Sequence, residues 1–310
     1  MAQADYDLYC LVRKTSNVQL HKELGVNLVY GDVTDRQSIL DGMKGCEWVI
    51  DLANIYEFWH PDKSLFEKVN IDGTRNVMEC ALEIGAAKVM HVSTALTYGK
   101  PTNVPFTEAS QPGPEQFSEY ARTKRLGDLV AWKLFEEKGL PLVGVYPVGV
   151  MGPGDTKATF QVTSNLVKRR MPATVFDSTM LSFVYVKDVA EIIVRAMEKE
   201  GNIGEKYLAS SEQITLGDAY RTICEFAGVK MPFIRLPDWL IMLNAILLTS
   251  ISDIFKVPPW LGMSVDQMRT MKEGWVCDGD KAVRELGITY VTVREMIRQE
   301  VAGAQRNPTL

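Results

Sequence analysis

Short β-branched and aromatic runs alternate with stretches of helical spacing through the first half of the chain. That is the pattern of βαβ units laid over a parallel sheet. LYCLV at 8–12 predicts a first strand, with Ser16 as N-cap of a helix through Leu24. NLVYGD at 27–32 predicts the second, followed by a helix that Asp35 caps and that ends near Gly42. EWVIDLA at 47–53 predicts the third. A long helix from Lys63 to Glu83, closed by Gly85, leads to a fourth strand, KVMHVST at 88–94. After a Pro- and Gly-rich loop over 99–114, a helix is predicted from Gln116 to Lys138 and a fifth strand in LVGVYPV at 142–148.

From Met151 the rhythm loosens: Pro153, Gly154 and Pro172 interrupt it and helices dominate. FVYVKDVAEIIVRAM at 183–197 reads as a strand running into an amphipathic helix. The reading divides the chain into an α/β domain over 1–150 and a smaller helix-rich lobe over 151–310, with 182–200 returning to the first domain. The most apolar stretch, Trp239 to Leu248, is about half of the roughly twenty residues a spanning helix needs. It reads as a core or interface helix in preference to one resting on a membrane surface.

Composition narrows the function. With 34 basic and 39 acidic side chains the net charge is −5, against a protein that grips nucleic acid. The five cysteines lie far apart without a C-x-x-C pair, so neither a zinc site nor a disulfide framework is expected, and a reducing, cytoplasmic setting is. No metal ligands are assigned, and MAQADYDLYC does not read as a signal peptide.

The sharpest chemical feature is Tyr120 with Lys124 in EYARTKRLGD, inside a predicted helix. Residues four apart share a helix face, so phenol and ammonium stack, and a nearby cation favours the phenolate. A tyrosine so tuned exchanges a proton with an alcohol or carbonyl. Gly127 continues that face and permits close packing. Alone the pair is a weak signal. What strengthens it is Ser93 and Thr94 at the carboxyl end of the fourth strand, where open α/β sheets bind ligands.

Taken together, GDVTD at 31–35, DLAN at 51–54, VNIDGTRN at 69–76, VSTALTYG at 92–99, YARTK at 120–124, YPVGVMGPGD at 146–155 and FVYVKDVA at 183–190 carry a family resemblance. The chain resembles the extended short-chain dehydrogenase/reductases, also described as the NAD-dependent epimerase/dehydratase family. Within them it is most similar to the dihydroflavonol-4-reductase-like branch. The resemblance implies a Rossmann-like sheet with a smaller substrate lobe. It implies Tyr120 as acid/base, Thr94 as the hydroxyl that polarises substrate, and Lys124 as the residue that holds the ribose and lowers the tyrosine pKa. It further implies Asp32 and Val33 against adenine, Leu52, Ala53 and Asn54 along the cofactor, and Tyr146, Pro147 and Val150 beside nicotinamide. Asn70 resembles the family's asparagine on the central helix, or is a buried structural amide.

Arg13 and Lys14 end the LYCLV strand, where a basic residue accommodates the extra phosphate of NADP. NADP(H) is therefore the expected cofactor, with NAD(H) the alternative. One departure stands out: no glycine precedes Gly25, and LYCLVRKTSN resembles the family's second strand, without the first strand and its glycine loop. The expectation is that these 310 residues bind NADP(H) poorly and self-associate, and that about 25–30 further residues at the N-terminus restore binding. The expected function is an oxidoreductase moving hydride between nicotinamide and a carbonyl or secondary alcohol. The alternatives are a nucleotide-sugar epimerase or dehydratase and a non-catalytic binding protein descended from such an enzyme. Expected partners are a small carbonyl, alcohol or nucleotide-sugar substrate and a second copy in a homodimer, with no nucleic acid.

Overall fold

The computed structural model describes residues 6–155 and 157–306. Strand β1 (Tyr9–Val12) pairs in parallel with β2 (Asn27–Tyr30), and α1 (Gln19–Glu23) connects them. Ser16 does not cap α1: its N–H turns back to the Arg13 carbonyl at 2.9 Å, and the helix starts after Val18. Asp35 does cap α2 (Arg36–Met43), its carboxylate accepting from the N–H groups of Gln37 and Ser38.

After β3 (Trp48–Asp51), the predicted long helix forms in three parts: α3 (Ser64–Glu67), a π-helical segment Lys68–Gly73, and α4 (Thr74–Glu83). It leads to β4 (Lys88–Val92) and a short 3₁₀ turn, Ala95–Tyr98. Helix α5 (Glu119–Lys138) begins three residues later than expected because the Ser118 hydroxyl caps it, and ends at Gly139, φ 68°. Strand β5 (Leu142–Pro147) follows.

The remaining strands are β6 (Gly149–Met151), β7 (Ala173–Thr174), β8 (Met180–Tyr185), β9 (Lys206–Ala209), β10 (Gln213–Thr215) and β11 (Ile234–Arg235). The remaining helices are α6 (Ala158–Val167), α7 (Val186–Glu198), α8 (Leu216–Ala227), α9 (Asp238–Phe255), α10 (Val265–Glu273), α11 (Asp280–Leu286) and α12 (Val293–Arg306).

Strands β3, β4, β5 and β9 form one parallel sheet in the order β3-β4-β5-β9. Its interior strands are buried on both faces because helices cover both: α7 on one side, α4 and α5 on the other. Among the described residues β1 and β2 pair only with each other. The sheet is thus divided between β1 and β3, where the order 3-2-1-4-5-6 has its central strand. The second hydrophobic core lies among α6, α8, α12 and β8, and β6-β8-β10 forms the small sheet beside it.

Candidate active site

The carboxyl ends of the parallel strands carry the polar groups. Strand β4 delivers Ser93 and Thr94, and the Thr94 hydroxyl accepts from the Leu96 N–H at 3.3 Å, starting the 3₁₀ turn. Across from them Tyr120 stands in the first turn of α5, hydrogen-bonded to the Thr94 side chain. Its ring packs edge-on against Tyr56, 5.0 Å between centroids, and Phe58, 6.2 Å. Lys124 lies one turn further along α5, fully buried, with Nζ donating to the Val92 carbonyl at 3.0 Å.

Burial sets the protonation state here. It pushes the Tyr120 phenol well above its ordinary value, the neighbouring Tyr56 adds to this, and the Thr94 bond only partly offsets it. In the protein alone, burial sets the direction of this shift. Lys124 gives one N–H to Val92, and its own pKa is pushed down by burial against the pull of Asp51 and Asp128.

Beneath the site His91 is wholly buried between two carboxylates, Nδ1 at 3.1 Å from Asp51 and Nε2 at 2.9 Å from Asp128. Burial alone would lower its pKa, but the bonds to Asp128 and Asp51 outweigh this and raise it. Both ring nitrogens facing acceptors describe an imidazolium. His91 thus ties Asp51 of β3 to Asp128 of α5 beneath the cavity.

In front of Tyr120 opens a cavity of about 510 Å³. One wall is the strand-end polar group just described with Asn54, and another is the segment Pro147 to Asp155. The far wall comes from the second lobe: Gln267, Thr270 and Met271 of α10, then Trp275. Among the described residues, its charged lining residues are Asp155 and Lys157. Asp155 accepts from the N–H groups of Lys157 and Phe160 and the Thr159 hydroxyl, and Lys157 Nζ lies 3.4 Å from Glu57. A smaller apolar cavity of about 70 Å³ lies alongside and shares Met151, Thr159, Met271 and Trp275 with the first.

Of the residues singled out from sequence, Asn54, Ser93, Thr94, Tyr120, Pro147 and Val150 line this cavity, and Lys124 lies directly behind it. Tyr146 does not line it. Strand alternation turns that ring away, where its hydroxyl accepts from Trp132 Nε1 at 2.7 Å. Arg13 and Lys14 follow β1 and are exposed, Asp32 and Val33 follow β2, and Leu52 and Ala53 follow β3. They occupy the same carboxyl edge but lie outside the cavity. The Asp32 carboxylate accepts from the Thr34 N–H and hydroxyl, at 2.9 and 2.8 Å. Asn70 is a structural tie: it accepts from Ile55 N–H at 2.9 Å and donates to Thr123 Oγ1 at 3.0 Å.

Sequence reading missed Tyr56, Phe58, Asp155, the α10 residues and Trp275. The aromatic cluster YEFWH was a usable signal for the first two; α10 gives none in isolation.

For a dinucleotide the fit is good at the reacting end. The Ser93 hydroxyl is buried without a hydrogen-bond partner and lines the cavity, as expected of a group that awaits a ligand oxygen. At the other end, the described residues ahead of Gly25 contain no glycine and supply no turn of backbone N–H groups for a pyrophosphate.

Comparisons with known proteins show the family and the fold. The model of the NAD dependent epimerase/dehydratase family matches residues 1–209. The chain is 28% identical over 296 residues to sterol demethylase protein B of Methylococcus capsulatus, covering 94% of this chain and 88% of that one. It is 24% identical to 3beta-hydroxysteroid-dehydrogenase/decarboxylase isoform 1 of Arabidopsis thaliana, over 89% of this chain and 66% of the relative. Among solved structures, gox2253 superposes with a TM-score of 0.82 at 30% identity, covering 98% of this chain and 92% of that one. UDP-glucuronic acid 4-epimerase from Bacillus cereus, solved with NAD, shares the fold: TM-score 0.76, 18% identity, 97% and 89% covered.

Proposed function

Because the chain belongs to the NAD-dependent epimerase/dehydratase family, we propose that it is an NADP(H)-dependent oxidoreductase acting on a carbonyl or secondary alcohol carried by an apolar molecule. The observation that carries this reading is one cavity in which Tyr120, Thr94 and the unpartnered Ser93 hydroxyl converge on apolar walls. When bound, the nicotinamide supplies or receives the hydride. Thr94 and Ser93 hydrogen-bond the substrate oxygen, and Tyr120 gives its proton to that oxygen as negative charge develops there. Its raised pKa keeps it protonated at neutral pH, which suits carbonyl reduction. Lys124, held by Val92, has further N–H groups to hold a ribose hydroxyl.

The walls support an apolar substrate over a nucleotide sugar. A diphosphate calls for cations, and Lys157, the one cationic lining residue among the described residues, lies beside Glu57. Two relatives are named for sterol and steroid chemistry, which points to a fused-ring alcohol or ketone.

The test is NADPH oxidation with a panel of apolar ketones, comparing the parent chain with Tyr120→Phe. The variant keeps the ring contacts and should lose roughly 10²–10⁴ in turnover with unchanged circular dichroism. Equal activity of the two proteins would overturn the assignment.

A further inference from the structure

Helix α9 has an outer face with no partner. Ile241, Ala245 and Ser252 turn inward and are buried, while Trp239, Leu243, Ile246, Leu247, Ile251 and Ile254 recur at helical spacing and are exposed. The helix has only two ionisable residues. Asp238 faces Lys272 at 3.9 Å, and Asp253 accepts from Trp59 Nε1 and Lys63 Nζ, each at 2.9 Å. From Trp239 to Phe255 the outer face therefore carries no charge. Large aromatic rings extend it at both ends: Phe233 is 92% exposed, Phe255 70% and Trp260 67%. Soluble monomers rarely leave so long an apolar face in water.

We propose that this face rests on an anionic lipid surface. The flanking charges favour that occupant: Lys230 precedes the helix and Lys256 closes it, both exposed, and Arg235 between them is exposed though it pairs with Asp177 at 3.2 Å. Basic side chains around an apolar face are attracted to anionic headgroups, and tryptophan at the margins suits the boundary between headgroup and hydrocarbon. A second copy fits less well, since antiparallel pairing of two α9 helices brings Arg235 of one toward Lys256 of the other.

The helix is long and apolar enough to cross a bilayer, but its inner side is committed to the protein. Crossing would break the Asp253 bonds to Trp59 and Lys63 and place that carboxylate in hydrocarbon. Lying flat, α9 keeps them. It also puts the cavity beside the lipid: α10, which lines the cavity, packs on α9, and Trp59 joins α9 to the loop carrying Tyr56 and Phe58.

Flotation of the full chain with vesicles tests this without any assay of activity. Equal parts phosphatidylcholine and phosphatidylglycerol are compared with phosphatidylcholine alone. The chain should float with the anionic vesicles and shift its tryptophan emission to the blue. Leu243→Asp with Leu247→Asp should weaken binding by about tenfold or more with unchanged circular dichroism. Lys230→Glu with Lys256→Glu leaves the apolar face intact and should weaken binding at low salt only. Failure of the parent chain to float with either vesicle overturns the proposal. So does a parent dimer in analytical ultracentrifugation that the Leu243 and Leu247 substitutions convert to monomer, for then the face belongs to a second copy.

Discussion

Glu300 is the acid whose environment most alters stability with pH. It is 2% exposed in α12, Thr163 Oγ1 donates to its Oε2 at 2.6 Å, and its Oε1 has no partner. Burial pushes its pKa to about 7, with Asp155 adding to the rise and the Thr163 bond opposing it. A carboxyl whose folded pKa lies above its unfolded value binds more protons when folded between the two. Its contribution is present at low pH and lost as pH rises from about 4.5 toward 7. The raised His91 pKa acts in the same direction, present below the unfolded value near 6.5 and lost above the folded one. Thermal denaturation should therefore show a protein more stable at pH 5 than at pH 8. Glu300→Gln should flatten much of that slope and gain on the order of 3 kcal/mol above pH 7, with little effect at pH 5. An unchanged slope would mean that the carboxylate is accommodated without cost. The Tyr120–Lys124 pair was legible at this scale because four-residue spacing fixes a shared helix face. Glu300 was not, since nothing around position 300 announces burial.

At the scale of elements, the contact between α5 and the π-helical segment decides where Tyr120 stands. A Cβ at Gly127 would lie 2.3 Å from the Asn70 carbonyl oxygen, a backbone atom that cannot swing aside. Gly127→Ala would gain about 1 kcal/mol of helix propensity elsewhere. Here it should instead cost a net 1–3 kcal/mol or so in urea denaturation and displace Tyr120 enough to reduce turnover. A more stable variant would show that the two helices can separate freely. The sequence marked Gly127 as a close-packing position, and the spacing gave one long helix over 63–83. The π turn inside it was not legible, because one extra residue per turn barely disturbs an apolar period. The apolar run beginning at Trp239 was legible as a helix. That its outer face is bare is a property of what packs nearby.

For the whole molecule, Arg13 and Lys14 follow β1 in a strand pair separate from the β3-β4-β5-β9 sheet and lie outside the cavity that Tyr120 lines. An effect of Arg13 and Lys14 on cofactor choice should therefore separate from turnover in mutants. Replacing Arg13 and Lys14 together by Ala should weaken NADPH binding by about tenfold or more and NADH little, read by fluorescence titration. Equal losses would mean that these side chains support the fold alone. Turnover at saturating cofactor should stay near the parent value, unlike that of Tyr120→Phe.

The sequence by itself determined the α/β class, most strand positions, the Asp35 cap and the shared helix face of Tyr120 and Lys124. Each depends on neighbours a few residues apart, through alternation, capping or helical spacing. Only the tertiary structure decided that Lys124 is held by Val92, that burial outweighs it at Tyr120, and that Tyr146 faces Trp132. It also brought α10 and Trp275, about 150 residues beyond Tyr120 in the chain, to the far wall of the cavity. Those outcomes depend on which surfaces meet and how much water leaves between them, and no local pattern encodes either.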